Sequence, residues 1–371
     1  MLTRFTIHDS RFTIHDSRFT IHGSPITFPL IDHIFPHVLN FCMPSREIRT
    51  CFVTGGTGFI GSHLVGHLLQ RGCEVRCLVR DRSRLKWLQG QSVNVVEGDL
   101  SSHSLIREAA SGTDAVFHLA GVTAAGSRET YRKINAEGCR SVAAASLSAP
   151  HPPEVFIYMS SLAAIGPGRF DEVVTENRVP HPVTDYGRSK LEGERILSEL
   201  GPLPLVVVRP PAVYGPRNRE MFPLFKLASM GIFPVFNPES RISVIHVEDL
   251  VRGVISAAEK GRVGETYFLT HPTPVNARDF PHLFGHAFGR KVRTLRVPVP
   301  MLKAAAAMSE TWGRITGNMP VFNRDKVNEL TATWLVCAWE KAQRDIAFEA
   351  DVDFADGLYG TAKWYREQGW L

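Results

Sequence analysis

The sequence predicts an α/β protein: a doubly wound parallel sheet with helices on both faces, joined to a smaller C-terminal substrate-binding domain. Three observations carry this expectation. Short apolar runs alternate with amphipathic stretches from Thr50 to about Pro210, the pattern of repeated strand, helix, strand units. A glycine-rich turn joins the first run to the first amphipathic stretch. Asp99 and Gly121 follow later runs, where such sheets bind ligand beyond the carboxyl ends of their strands.

Ahead of the first strand the chain opens on RFTIHDSRFTIHDSRFTIHGS, Arg4 to Ser24, a seven-residue unit written three times with Gly23 in place of Asp. Phe and Ile stand two apart in each unit, a strand spacing rather than the alternating three and four of a coiled coil. No Asn-Gly type turn marks a hairpin between the units. The stretch PITFPLIDHIFPHVLNFC is broken by Pro25, Pro29, Asp32 and Pro36, so it is too interrupted to span a bilayer. It also lacks the apolar core and cleavage site of a secretory signal. Residues 1–42 are therefore expected to lie outside the fold, with the working protein beginning at Met43; a flexible extension is the rival expectation.

Composition narrows the partners. With 44% hydrophobic and 21% charged residues, the chain has the make-up of a soluble globular protein. Its net charge of +5 is mild, and no dense Lys/Arg block marks a nucleic-acid surface. A small-molecule substrate, no nucleic acid and no membrane span are expected. Six cysteines, at positions 42, 51, 73, 77, 139 and 337, form no Cys-x-x-Cys pair, which points to buried or free thiols in a reducing, cytoplasmic setting. His8, His15 and His22 recur only because the repeat does, so no metal is expected.

The first strand is Cys51 to Val53, and the helix after it places Phe59, Ile60, Leu64, Val65, Leu68 and Leu69 at helical spacing up to Gly72, a residue suited to a helix C-terminus. Between them Gly55, Gly58 and Gly61 form a G-x-x-G-x-x-G pattern. Missing side chains there permit the tight turn, let backbone N–H groups approach a diphosphate and allow close helix packing. With Phe59 and Ile60 they make the candidate dinucleotide-phosphate site. Strand and helix then alternate: VNVVEGDL, a helix from Ser102, AVFHLAG, a helix from Ser127 to Ser148, VFIYMSS, a helix from Asp185, and LPLVVVRP.

The end of the second strand selects the dinucleotide. An NAD site offers an acid for the ribose hydroxyls, and an NADP site offers Arg for the 2′-phosphate. Here the strand ends Leu78-Val79-Arg80, followed by Asp81, Arg82 and Arg84. NADP is favoured through Arg80, and Asp81 keeps NAD open. Within DYGRSKLEGERIL, Tyr186 and Lys190 stand four apart, on one face of a helix. A tyrosine of ordinary pKa near 10 is a poor base, and a neighbouring ammonium favours its phenolate.

These motifs resemble the extended branch of the short-chain dehydrogenase/reductase superfamily, the NAD(P)-dependent epimerase/dehydratase family. The resemblance runs from about Arg49 to Leu371 through TGGTGFIG, GDL at 98–100, HLAG, YMSSLAAIG, YGRSK, VRPPAVYGPR and IHVEDL at 245–250. It implies a Rossmann-type nucleotide-binding domain over 43–213 and about 241–262, and a substrate-binding domain over about 214–240 and 263–371. It further implies Ser161 as the hydroxyl that bonds the reacting oxygen, Tyr186 as proton carrier, and Lys190 as its partner and holder of the nicotinamide ribose. Asp99 and Leu100 are implied at the adenine and Ala120 at the cofactor ribose region. Members often dimerise through the helices that here span about 127–148 and 185–200, so a homodimer is one expectation.

The substrate is less legible. Sugar-nucleotide members often carry Asn where this chain has Ala212, and Arg where it has Ile242; Arg241 is one step off, on the opposite face of a strand. The apolar stretch 221–236 either lines an apolar pocket, as in the hydroxysteroid dehydrogenase and flavonoid reductase relatives, or fills the core. The reading that follows is an NADP-linked oxidoreductase acting on a hydroxyl or carbonyl carbon of a fairly apolar substrate. Its alternatives are a nucleotide-sugar epimerase or dehydratase with tightly held NAD, and a non-catalytic nucleotide sensor.

Overall fold

The computed structural model describes residues 45–316, 327–328 and 334–371, and four short strands before residue 27. Those strands, Thr3–Ile7, Ser10–His15, Arg18–Ile21 and Ser24–Ile26, pair antiparallel in chain order. The two-residue spacing of Phe and Ile is thus realised as a small meander, in a unit of its own spanning Met1–Ser45. The expected boundary at Met43 lies outside the described residues.

The second unit, Arg46–Leu371, is built on a parallel sheet of seven strands: β1 (Thr50–Thr54), β2 (Glu74–Val79), β3 (Asn94–Glu97), β4 (Ala115–His118), β5 (Val155–Met159), β6 (Leu205–Arg209) and β7 (Thr266–Phe268). Their spatial order is β7-β6-β5-β4-β1-β2-β3. The order reverses between β1 and β4, which fixes the ligand crevice at their carboxyl ends. Helices α1 (Phe59–Gln70), α2 (His103–Ala110), α3 (128–147) and α4 (Asp185–Ser198) connect the strands.

Both faces of the sheet are covered, and alternation along each strand shows how. Val53, Phe117 and Ile157 pack against Leu64, Val65 and Leu68 of α1. Their neighbours Phe52, Val116 and Phe156 point the other way, against Ile106 of α2, Val142 of α3 and Leu197 of α4. Burial on both faces is the reason these strands are continuous apolar runs. Each fully buried side chain of this size contributes about 1.5–3 kcal/mol.

Local caps set the helix ends. Gly72, with φ of +81°, closes α1, as its N–H reaches Leu69 O at 2.9 Å and that of Cys73 reaches Leu68 O at 3.0 Å. Ser127 Oγ accepts the Thr130 N–H at the start of α3, and Thr184 Oγ1 accepts the Gly187 N–H at the start of α4.

Among the described residues the rest of the unit holds helices α5 (Phe222–Ser229), α6 (Val247–Lys260), α7 (Phe280–Phe288), α8 (Val299–Thr316), α9 (Glu340–Ile346) and α10 (Phe354–Glu367), with short strands Ala212–Tyr214, Ile232–Val235, Arg241–Ile242, Val244–His246, Val275–Asn276, Arg293–Arg296 and Trp334–Leu335 in three small sheets. Helix α6 joins α1 on its face of the sheet through Val251, Val254 and Ile255. Strand β7 falls inside the stretch 263–371 given to the smaller domain by sequence. It returns to the main sheet because β6 offers an open edge, with Val207, Val208 and Arg209 pairing to Thr266, Tyr267 and Phe268.

A separate aromatic core joins Phe225, Phe233, Phe284, Phe354 and Tyr365. Within the apolar stretch 221–236, Phe225, Phe233 and Val235 fill this core, while Met230 and Ile232 are exposed. Cys51, Cys73, Cys77, Cys139 and Cys337 are all buried free thiols.

Candidate active site

The glycine turn is shaped by what stands against it. Gly55 adopts φ of +78°, and a Cβ on it would meet Ala120 N at 2.6 Å. A Cβ on Gly61 would meet Gly55 O at 2.2 Å. Both positions therefore require glycine, one for backbone conformation and approach to β4, the other for helix packing. Gly58 caps α1 with extended backbone and no side chain caps that helix end. The first-turn N–H groups of Phe59, Ile60 and Gly61 thus lie within the set of orphan donors that an anion would satisfy. The residues present fit a dinucleotide diphosphate.

At the end of β2 the three arginines have different surroundings. Arg82 donates to Val95 O at 2.7 Å and lies 3.6 Å from Glu97. Arg84 pairs with Asp81 at 3.2 Å. Asp81 also accepts the Ser83 N–H at 2.9 Å and the Ser83 hydroxyl at 2.6 Å. Arg80 is exposed and has no ion pair among the described residues.

Beyond β3, Asp99 accepts from Ser101 N–H and Oγ, at 2.8 and 2.6 Å, bonds that hold its carboxyl below the usual range. Leu100 packs where a Cβ on Gly138 of α3 would come within 2.7 Å of its Cδ1. Ala120 follows β4, and its N–H reaches Thr54 Oγ1 at 3.3 Å.

The three candidate catalytic residues come from β5 and α4. Ser161 begins the turn after β5 and its Oγ accepts the Ala163 N–H at 3.2 Å, which leaves its own proton to donate. Tyr186 lies in the first turn of α4, half-buried, with its ring 6.2 Å from that of Tyr131. Gly187 lets that turn close on the Ser161 turn, since a Cβ there would meet Ala163 O at 2.2 Å. Lys190 is buried one turn on, its Nζ donating to Met159 O at 2.8 Å. Burial pushes the Lys190 ammonium down to about 8. A Cβ on Gly121 would lie 3.2 Å from Lys190 Nζ and 3.0 Å from Asn135 Oδ1, so the glycine keeps a small cradle open between β4 and α4.

Ser160, adjacent to Ser161, is fully engaged elsewhere: its hydroxyl donates to Glu194 Oε1, and Glu194 is paired with Arg209. Asp249, in the first turn of α6, is buried and accepts the Val352 N–H at 3.1 Å. It joins two chain segments in addition to complementing the helix end.

Two residues at the site were not picked out by sequence. Asn135 is buried in a π turn, Arg132–Glu137, within α3. It holds Val122 N–H and O at 2.8 and 2.9 Å and Ser189 Oγ at 3.0 Å. The widened turn is the only local mark of such a site, and the sequence does not display it. Thr54 ends β1 and shares its hydroxyl between Ala120 N–H and His118 Nδ1, the latter at 2.7 Å; a Thr immediately before the glycine turn is the signal that was available.

His118, the last residue of β4, is a packed residue. It is fully buried and stacked on Tyr158, and burial holds its pKa down at about 3 against 6.5. Between those values the unfolded chain binds a proton that the folded chain does not, so stability falls as pH falls from about 6.5. This group alone is expected to remove about 2 kcal/mol between pH 7 and pH 5. Urea unfolding at both pH values, on the wild type and His118→Asn, checks this. An equally steep acid loss in the variant would assign the effect to other groups.

Comparison with known protein families matches residues 51–269 to the NAD dependent epimerase/dehydratase family. The chain is 32% identical over 333 residues to the ceramide reductase of Caulobacter vibrioides, covering 86% of this chain and 95% of that protein. It is 30% identical over 315 residues to a 4-hydroxy-2-methyl-3-oxo-4-farnesyl-3,4-dihydroquinoline-1-oxide ketoreductase of Stigmatella aurantiaca, covering 83% and 94%. Among solved structures, a dTDP-glucose 4,6-dehydratase of Streptomyces venezuelae with NAD bound shares the fold, with a TM-score of 0.70 at 22% identity over 87% of this chain and 98% of that one. The chain belongs to the NAD-dependent epimerase/dehydratase family of extended short-chain dehydrogenase/reductases and is an NAD(P)-dependent oxidoreductase.

Proposed function

We propose that the protein is an NADP-linked reductase that interconverts a ketone or aldehyde and its alcohol on a fairly apolar substrate. The observation that carries the cofactor choice is the end of β2, where Arg80 is the exposed cation left without an ion pair among the described residues. Asp81 is taken up by Ser83 and Arg84, so the acid that would hold ribose hydroxyls of NAD is already engaged. An apolar substrate is supported by the relatives named for ceramide and for a farnesyl-bearing quinoline oxide. It is further supported by Arg241, whose guanidinium lies 5.8 Å over the Trp334 ring, an aromatic contact that already engages the cation.

The bound nicotinamide supplies the hydride. The chain's own residues do the rest. Ser161 donates to the carbonyl oxygen and orients it, Tyr186 delivers the proton to that oxygen, and the Lys190 ammonium favours the phenolate left behind. In the reverse direction Tyr186 takes the hydroxyl proton. Asn135 and Thr54 fix the carboxyl ends of β4 and β1 around the cradle.

Calorimetric titration with NADP⁺ and NAD⁺ tests the cofactor choice. Wild type is expected to prefer NADP⁺, and Arg80→Ala to lose about 1.5–3 kcal/mol of that preference, the range for a hydrogen bond to a charged group. Tight NAD⁺ binding indifferent to Arg80 would replace this reading with the nucleotide-sugar one.

A further inference from the structure

Thr123 and Glu220 meet beside the candidate proton carrier, one from the segment after β4 and the other from the loop before α5. Thr123 stands two residues after Gly121, the glycine whose added Cβ would lie 3.2 Å from Lys190 Nζ. The Thr123 carbonyl accepts the Tyr131 hydroxyl at 3.1 Å, and the Tyr131 ring lies 6.2 Å from that of Tyr186. The Thr123 hydroxyl donates to Glu220 Oε1. A continuous chain of contacts, Glu220 to Thr123 to Tyr131 to Tyr186, thus ties the carboxylate to the reacting end of the crevice.

The loop itself fixes Glu220 in this place. Asn218 is buried, and its Oδ1 accepts the N–H groups of Glu220 at 2.8 Å and Met221 at 3.1 Å, while its Nδ2 donates to Val213 O at 2.9 Å. An asparagine that bonds the backbone two residues on sets the turn.

No cation neutralises the carboxylate. Of the two arginines in the same loop, Arg217 lies 5.1 Å over the Trp87 ring and donates to Ser62 Oγ at 3.1 Å, and Arg219 lies 5.2 Å over the Trp370 ring. Glu220 has no ion pair among the described residues. Asp185, the acid next to Tyr186 in the chain, is by contrast paired with Arg188 at 2.8 Å.

An ionised carboxylate only accepts hydrogen bonds, so it tolerates a hydroxyl or N–H group of a substrate and repels a carboxylate or phosphate. Like charges a few ångströms apart at a protein surface oppose each other by about tenfold or more in binding.

We propose that Glu220 selects substrates by charge, turning away those that carry a carboxylate or phosphate and admitting uncharged ones to Tyr186. This deepens the proposed reaction and rests on it for the place where the substrate binds. A nucleotide sugar, with its diphosphate, is a substrate that Glu220 disfavours.

Steady-state NADPH oxidation with meta-formylbenzoate and with its methyl ester, alike in shape and different in charge, tests the proposal. Wild type is expected to prefer the ester by kcat/KM, and Glu220→Gln to shrink that preference about five- to tenfold. Gln keeps an acceptor for Thr123, so a merely structural role would leave the ratio unmoved. Thr123→Val removes the bond, keeps the charge and is expected to retain the preference. Raising salt should narrow the ratio in wild type and not in Glu220→Gln. Thermal melting and cofactor titration check that each variant is folded. An equal ratio in wild type and Glu220→Gln overturns the proposal, as does a change in Thr123→Val as large as that in Glu220→Gln. Turnover of neither aldehyde counts against the proposed reaction instead. The charge filter is then read by calorimetric titration of the cofactor-loaded protein with UDP, which wild type should bind about fivefold more weakly than Glu220→Gln. Equal UDP binding overturns the filter.

Discussion

Tyr186→Phe is expected to lower carbonyl reduction by about 10²–10⁴-fold while leaving NADP⁺ affinity within a factor of two. The substitution removes one hydroxyl from a half-buried ring at the first turn of α4, and leaves the Thr184 cap and the Gly187 contact in place. What disappears is the proton carried to the substrate oxygen, an interaction needed in the transition state and not in cofactor binding. The expected signature is therefore a fall in kcat with binding preserved. Steady-state NADPH oxidation against a panel of ketones and aldehydes, paired with calorimetry, reads turnover and cofactor binding separately. Unchanged turnover would remove Tyr186 from the mechanism. Absence of turnover in the wild type against every carbonyl, with NADP⁺ bound, would favour a nucleotide sensor.

The parts of this site that were legible in sequence share one property: each is set by short-range geometry. Gly55, Gly58 and Gly61 are spaced by the turn and helix start they form, and Tyr186 and Lys190 by one helical turn. The inner strands β1, β4, β5 and β6 were legible because burial on both faces writes them as nearly unbroken apolar runs. Strand β7, only Thr266–Phe268, was not. Its membership depends on pairing with β6, more than fifty residues earlier, and a three-residue run carries no period. Asn135 was missed for a related reason. Its partners, Val122 and Ser189, lie 13 and 54 residues away, and the π turn that presents it has no sequence code of its own. The stretch 221–236 was ambiguous because a buried aromatic and a pocket-lining aromatic look alike in one dimension. Only the packing of Phe225 and Phe233 against Phe284 separates the two.

Glu194→Ala is expected to cost about 3–5 kcal/mol of stability, the range for breaking one side of a buried ion pair. Glu194 on α4 and Arg209 at the end of β6 are 8% and 6% exposed, and meet through Nε···Oε1 at 2.9 Å and Nη2···Oε2 at 2.6 Å. Ser160 adds its hydroxyl to the same carboxylate. Removing Glu194 leaves the guanidinium buried without its counter-charge, and strips Ser160 of its acceptor. The damage reaches the chemistry because Glu194 stands one turn after Lys190 and its charge supports the Lys190 ammonium. Without it the ammonium, already held down to about 8 by burial, falls further and gives less help to the Tyr186 phenolate near neutral pH. Urea unfolding should show the stability loss in Glu194→Ala and a smaller one in Glu194→Gln, which keeps an acceptor. The double replacement Glu194→Met/Arg209→Met should recover stability relative to Glu194→Ala, since an apolar pair leaves no buried charge behind. Yet it should not recover activity, because the support for Lys190 is still missing. A loss below about 1 kcal/mol in Glu194→Ala, less than a typical point substitution, would mean that water reaches Arg209 and that the pair is not the bolt between α4 and β6 described above.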